Sequence, residues 1–189
     1  MRIRASRPED AEDVAPLLYA AIGEIAFLLT GAQDPEHAIA SMNELYQLPN
    51  HRLSYENTLV AEVDGRPIGF VLFYHGSRMD ELDRPLLERL EAATGHKPHP
   101  FPKEARENEF YLDSLAVDPS FRGQGVGTLL MAAFEAEAVR LHYDRVSLIV
   151  DQDKPKAKQL YMGQGYIEDD VIEILGHPYH HMIKEIKLS

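Results

Sequence analysis

The stretch Phe110–Met131 reads F-Y-L-D-S-L-A-V-D-P-S-F-R-G-Q-G-V-G-T-L-L-M, and its reading decides the fold. It opens as a strand. Strict alternation puts Phe110, Leu112 and Ser114 on one face and Tyr111, Asp113 and Leu115 on the other. Asp118-Pro119 ends the strand, because proline has no N–H for the ladder and restricts the residue before it. Arg122-Gly123-Gln124-Gly125-Val126-Gly127 follows, and then a helix-forming run from Thr128 to Arg140. Strand, glycine loop and helix together suit an anion. Glycine lets the backbone approach closely, and the free N–H groups and dipole of a helix start hold phosphate without a side chain. Arg122 adds a mobile positive charge at the loop edge.

Outward from this stretch the chain alternates between sheet and helix. Arg2–Ala5 is a short first strand, and Ser6-Arg7-Pro8-Glu9 reads as a capping box with Ser6 at the cap. Val14, Leu17, Leu18, Ala21, Ile22 and Ile25 recur at helical spacing and predict a helix that ends before Thr30-Gly31. Asp34-Pro35 caps a second helix reaching about Leu48. Thr58–Val63 is a strand, Asp64-Gly65 a hairpin turn, and Pro67–Tyr74 the partner strand. That partner is apolar on both faces and so belongs in the middle of a sheet.

Residues 75–108 depart from the pattern. An amphipathic helix there carries Leu86, Leu87 and Leu90 and ends at Gly95, and H-K-P-H-P-F-P-K then forms a proline-rich loop. The segment is too short for its own core, so it is predicted to be an insertion packed on a single domain spanning 1–189. Its leucines need cover from the domain's sheet edge or from a second subunit, which leaves a homodimer open. Downstream, a helix from Thr128 to Leu141 is predicted to turn Leu129, Leu130, Ala133, Phe134 and Ala138 inward. Arg145–Val150 is a strand, necessarily parallel to the one before that helix if the two pair. Lys154–Gly163 is a short helix. Tyr166–Leu175 and Tyr179–Leu188 are two strands around a Gly176-His177-Pro178 turn.

Composition narrows the function classes. The chain has 189 residues, 19 Lys and Arg against 31 Asp and Glu, and a formal charge of −12. That balance argues against nucleic acid as a partner. The absence of cysteine excludes a disulfide framework, a thiolate metal site and a cysteine nucleophile. His96 and His99 read as loop histidines. His180 and His181 would point to opposite faces of a strand, so no metal site is expected. The N-terminus lacks an apolar signal core and no run has the length of a membrane span, so a soluble cytoplasmic protein without membrane contact is the expectation.

Two familiar phosphate loops fail on spacing. Walker A needs G-x-x-x-x-G-K-[ST], and no lysine follows these glycines. The dinucleotide fingerprint needs a third glycine where Thr128 stands, directly off a strand. L-A-V-D-P-S-F-R-G-Q-G-V-G instead resembles the cofactor loop of the GCN5-related N-acetyltransferases, with its R/Q-x-x-G-x-G/A core at Arg122, Gly125 and Gly127. A second motif lies in V-D-Q-D-K-P-K-A-K-Q-L-Y-M-G-Q-G-Y. It is similar to the family's N-x-x-A-x-x-L-Y-x-x-x-G-F at Ala157, Leu160, Tyr161, Gly165 and Tyr166, with Lys154 in place of the usual Asn. The order of strands and helices is also the family's, over nearly the full length.

The resemblance implies an α/β fold of that family: a mixed, mostly antiparallel sheet of about seven strands, with a splayed parallel pair and flanking helices. It implies acetyl-CoA as co-substrate, with no metal. Pantetheine would pair with the strand backbone at Leu115, Ala116 and Val117. The pyrophosphate would meet the N–H groups of Gln124, Gly125, Val126, Gly127 and Thr128, beside Gly123. Lys154, Lys156, Lys158 and Arg122 form a basic patch for the phosphates. Tyr161 matches the general acid that meets the leaving sulfur, and Val117 is the candidate oxyanion donor. Asp113 is a candidate base, with Glu109 and Tyr111 as rivals. The activity implied is transfer of acetyl to a primary amine of a small molecule or protein in a ternary complex. The alternative is a coenzyme A-binding sensor or interaction module that has lost catalysis. The acceptor would be shaped by residues near Phe27–Gln33 and by whatever covers the cleft.

Overall fold

The computed structural model describes residues 1–188. In chain order the elements are β1 Arg2–Ala5, α1 Ala11–Ile22, α2 Ile25–Thr30, α3 Pro35–Tyr46, β2 Thr58–Val63, β3 Arg66–His75, α4 Met79–Thr94, β4 Phe110–Val117, α5 Val126–Arg140, β5 Arg145–Asp151, α6 Pro155–Gly163, β6 Ile167–Ile174 and β7 His177–Glu185. The strands form one seven-stranded sheet in the order β1-β2-β3-β4-β5-β7-β6. All neighbours are antiparallel except β4 and β5. The apolar β3 lies inside the sheet, as its two-sided pattern predicted.

Each face of the sheet carries a core. Helices α1, α3 and α4 cover one face, where Val14, Leu18, Met42, Leu82 and Leu86 pack on Phe70, Leu72 and Tyr111. Helix α5 covers the other, setting Val126, Leu130, Met131 and Phe134 against Val71, Phe73, Leu112 and Leu148. Leu129, predicted to turn inward, is exposed. The inward stripe runs through Val126, Leu130, Met131, Phe134 and Ala138, which leaves Leu129 on the outer side.

Several boundaries differ from the sequence reading, among them that α5 begins at Val126 rather than Thr128 and β7 ends at Glu185 rather than Leu188. The first helix breaks at Gly23, which takes φ +56° and divides α1 from α2. The apolar period runs on through Ile25, which hides the break. The first cap is Arg7 rather than Ser6, and it is reciprocated by Asp10 rather than Glu9: Asp10 Oδ2 accepts from the Arg7 N–H at 2.8 Å. The last hairpin turns at Leu175-Gly176, both at positive φ, so His177 and Pro178 already belong to β7. Helix α4 ends at Gly95, as the reading placed it, and its Met79, Leu82 and Leu86 enter the same core as α1.

Candidate active site

The parallel pair is hydrogen-bonded only at its base. Phe110, Tyr111 and Leu112 pair with Val146, Ser147 and Leu148, and beyond them β4 and β5 part. The cause lies in β4. Its register against β3 slips at Asp113, since Leu72 pairs with Ser114 but Phe73 with Leu112. Asp113 is the extra residue of a β-bulge, which bends its strand and increases local twist. The bulge also resets the alternation. Leu115 packs with Phe110 and Leu112 against α5, not on the face of Tyr111 as strict alternation predicted. Residues Leu115–Val117 thus present an edge with no paired strand on the β5 side.

The start of α5 lies beside that edge. Gly125 is the cap residue, at φ +80°, and no side chain caps the helix. Its carbonyl accepts the first helical bond, from Leu129 N. The N–H groups of the first turn therefore have no intrahelical acceptor. A Cβ at Gly123 or Gly125 would meet nothing within 4 Å, so the loop faces open space. The start of α5 is close to β4, since a Cβ at Gly127 would lie 3.8 Å from Leu115. The Arg122 Nε donates to Val117 O at 3.1 Å, which folds its exposed guanidinium over the end of β4. This loop fits a phosphate: it has unpaired backbone donors, a free approach and a cation at the rim.

The other basic residues divide. Lys154 and Lys156 are exposed at the start of α6. Lys158 instead donates to Glu168 Oε2 and lies beside His180, so its charge is largely compensated within the protein. Tyr161 is partly buried against the α5-side core, with its ring 6.2 Å from that of Tyr166. Burial raises the pKa of its phenol.

Asp113 is not an open carboxylate. Its Oδ2 accepts from Arg52 Nη2 at 2.6 Å and from Tyr74 Oη at 2.5 Å, and its Oδ1 accepts from Ser114 Oγ at 2.6 Å. Arg52 also reaches Glu104 at 3.0 Å and Asp83 at 3.4 Å. The side chains are nearly inaccessible, with 2% of Arg52, 9% of Asp83, 7% of Glu104 and 3% of Asp113 exposed. Three carboxylates thus surround one guanidinium. Burial raises Asp83 to about 6, and it raises Glu104 as well. Tyr111 donates to Glu104 Oε2 at 2.6 Å, so this rival base is a buried hydrogen-bond donor.

Glu109, the other rival, is buried in a second cluster. It accepts from His181 Nε2 at 3.0 Å and from Arg106 N at 2.9 Å, while His181 Nδ1 donates to Asp169 at 2.6 Å. Burial alone would raise the pKa of Glu109, but His181 and the Arg106 N–H bring it below the usual carboxylate range. His180 points elsewhere, to Glu168. His177 meets Asp151, so the three C-terminal histidines share no carboxylate partner. Among the described residues, one group has three ligand atoms within 4.8 Å of one another, Asp151, Asp153 and His177.

Sequence reasoning missed Arg52 and the Asp151–His177 pair. Arg52 sits in a loop between Asn50 and Ser54, and its partners lie 31 to 61 residues away, so no local signal marks it. The Asp-x-Asp of Asp151 and Asp153 stood inside a quoted motif, but only the position of the last hairpin reveals its partner.

Residues 23–166 match the model of the acetyltransferase (GNAT) family. The chain belongs to that family. Its fold agrees with a crystal structure of an acetyltransferase that is 30% identical, with 99% of this chain and 100% of that one covered and a TM-score of 0.81. An N-acetyltransferase from Staphylococcus aureus Mu50 is 28% identical, over 97% and 100% of the two chains, at a TM-score of 0.80. The PaiA N-acetyltransferase from Thermoplasma acidophilum, solved in complex with coenzyme A, shares the fold at 16% identity, over 97% and 98% of the chains, at a TM-score of 0.58. Acetyl-CoA is the acetyl donor of the GNAT family. No helix among the described residues is long and apolar enough to cross a membrane.

Proposed function

We propose that this GNAT protein transfers acetyl from acetyl-CoA to a primary amine by direct attack in a ternary complex. The observation that carries the reading is the opening of β4 from β5 beyond Leu112 and Leu148, beside an uncapped glycine helix start. Arg122 and the N–H groups from Gln124 to Thr128 bind pyrophosphate, and the open edge at Leu115–Val117 pairs with pantetheine. Lys154 and Lys156 face the phosphates, while Lys158 acts mainly through Glu168. Acetyl-CoA supplies an activated thioester carbonyl. Val117 offers an N–H to the oxyanion. Tyr161 meets the departing sulfur from the α5 side, as a hydrogen-bond donor more than a full acid, because burial makes its proton harder to lose.

The acceptor comes from the opposite face, under α1, α2 and the segment 75–108. Phe27 and Leu28 of α2, with Leu90, Thr94 and Phe101, line a cleft of about 460 Å³ there. This supports the segment 75–108 as a determinant of acceptor choice. The net charge of −12 suits a cationic acceptor. The test is acetyl-CoA consumption against polyamines, aminoglycosides, amino acids and peptides with a free N-terminus or lysine. Coenzyme A binding without turnover of any amine would replace the reading with a binding module.

A further inference from the structure

Acetyl transfer needs an amine without its third proton, and Asp113, Glu109 and Tyr111 are all engaged in buried bonds. One pair on the acceptor face is not. Asp151 ends β5, three residues past its last pairing with β4. It lies on the face of Ile149, which packs against the α1-side core. The last hairpin delivers His177 to it, with Nε2 2.7 Å from Asp151 Oδ1. The His177 side chain is 40% exposed and that of Asp151 20%. An imidazole donating Nε2–H to a carboxylate keeps its lone pair on Nδ1, and the carboxylate steadies the ring when that nitrogen takes a proton.

We infer that His177, oriented by Asp151, is the base that accepts the proton of the acceptor ammonium on the β5 wall of the cleft. The inference rests on the transferase reading above. In the step, neutral His177 Nδ1 removes one proton from R-NH3+, and the freed nitrogen pair forms the C–N bond to the thioester carbonyl. The C–S bond then breaks with its electron pair on sulfur. The second nitrogen proton ends on the coenzyme A sulfur, which Tyr161 steadies by a hydrogen bond, and His177 releases the first to solvent. His177 is a catalytic residue on this reading, and Asp151 positions it.

The groups facing His177 set its titration. Asp151 hydrogen-bonds it, Asp153 lies 3.6 Å from Nε2, and the Tyr179 ring stands edge-on at 5.5 Å. Lys154 acts on Asp151, and Glu104 acts on Tyr179. The hydrogen bond to Asp151 raises the pKa of His177 above 6.5. The base works when neutral, so activity should fall below that raised value.

The test compares wild type, His177→Gln and Asp151→Asn for kcat/KM against pH, using the best amine of the panel, with coenzyme A affinity measured by calorimetry. His177→Gln should lose roughly 100-fold or more in kcat while coenzyme A affinity stays within about threefold, roughly 0.6 kcal/mol. Asp151→Asn should move the acid limb to lower pH, because the charge that holds the imidazolium is gone. A His177→Gln enzyme with wild-type kcat, or an Asp151→Asn profile superimposing on wild type, overturns the assignment and leaves the transferase reading standing. If wild type binds coenzyme A yet consumes acetyl-CoA with no amine, both readings fall together. Should His177→Gln not fold, the Asp151→Asn profile decides alone.

Discussion

Gly125→Glu tests the phosphate cradle. Gly125 holds the left-handed conformation at φ +80°, which costs an ordinary residue about 1–2 kcal/mol. A Cβ there meets no atom within 4 Å, so no clash is added to that strain. A domain of this size tolerates the loss, and the variant should fold with a lowered melting temperature. Binding should respond far more. The new carboxylate sits at the uncapped start of α5, where an anion gains up to about 2 kcal/mol from the helix dipole and free N–H groups. It takes that gain for itself and repels the pyrophosphate. Coenzyme A affinity should fall at least about 100-fold, close to 2.8 kcal/mol. Gly125→Ala carries the same backbone strain without the charge and should lose less than about tenfold. The assay is calorimetric titration of coenzyme A into each folded variant, with circular dichroism as control. Wild-type affinity in folded Gly125→Glu would remove this loop from the site. An equal loss in both variants would refute the electrostatic argument and leave only the backbone conformation.

Tyr161→Phe should lower kcat by roughly 10- to 1000-fold with a smaller change in coenzyme A affinity; an unchanged kcat, with chemistry shown to be limiting, makes Tyr161 a packing residue. Thr94→Trp, on the exposed side of α4 where it lines the apolar cleft, should change amine preference and leave coenzyme A affinity within about threefold; an unaltered amine profile would separate that cleft from the acceptor. Asp83→Asn should not destabilise the protein at pH 7.5 despite its contact with Arg52. The folded-state value of about 6 stands above the ordinary 3.8, so the ionised form opposes folding by about 3 kcal/mol at neutral pH. The sign is that wild type gains stability as pH falls through 6 toward 3.8, and the variant should lack that rise. Denaturant unfolding at pH 7.5 and 4.5 measures both, and a loss above about 2 kcal/mol at pH 7.5 would show that Asp83 is a net partner of Arg52.

Much of the fold was legible because its punctuation is local. Asp64-Gly65 fixed the β2–β3 hairpin, Asp34-Pro35 marked the start of α3, and Gly95 marked the end of α4. Each signal acts through the backbone of its own residues. The glycine loop that opens α5 was legible for the same reason. What escaped depends on partners distant in sequence. Asp113 looks like one more alternating residue, and only the register of β4 against β3 makes it a bulge. Leu175 is a poor residue for a left-handed turn position, so the adjacent Gly-His-Pro drew the turn one step too far. Lys158 looked like one more phosphate ligand until β6 placed Glu168 against it.

The buried charges explain why the cleft stays open. Closing it would require β4 to extend its pairing with β5 past Leu112, and that requires removing the bulge at Asp113. The bulge is held by Arg52 and Tyr74, so moving Asp113 would break two charge-assisted bonds in a dry site. It would also leave the guanidinium among fewer carboxylates, and uncoupling a buried ion costs about 3–5 kcal/mol. The opposite wall is held in another way. His181 on β7 bridges Glu109, just before β4, and Asp169 on β6, which ties the base of the splay to the far sheet edge. Its raised pKa arises despite burial, from the two carboxylates that take its protons. Both networks lie on the side of the sheet that α1 covers, and both are spent on geometry. A buried, fully bonded carboxylate makes a poor proton acceptor for an incoming ammonium. The base proposed above differs in this respect, since the Asp151–His177 pair keeps one side of its imidazole exposed.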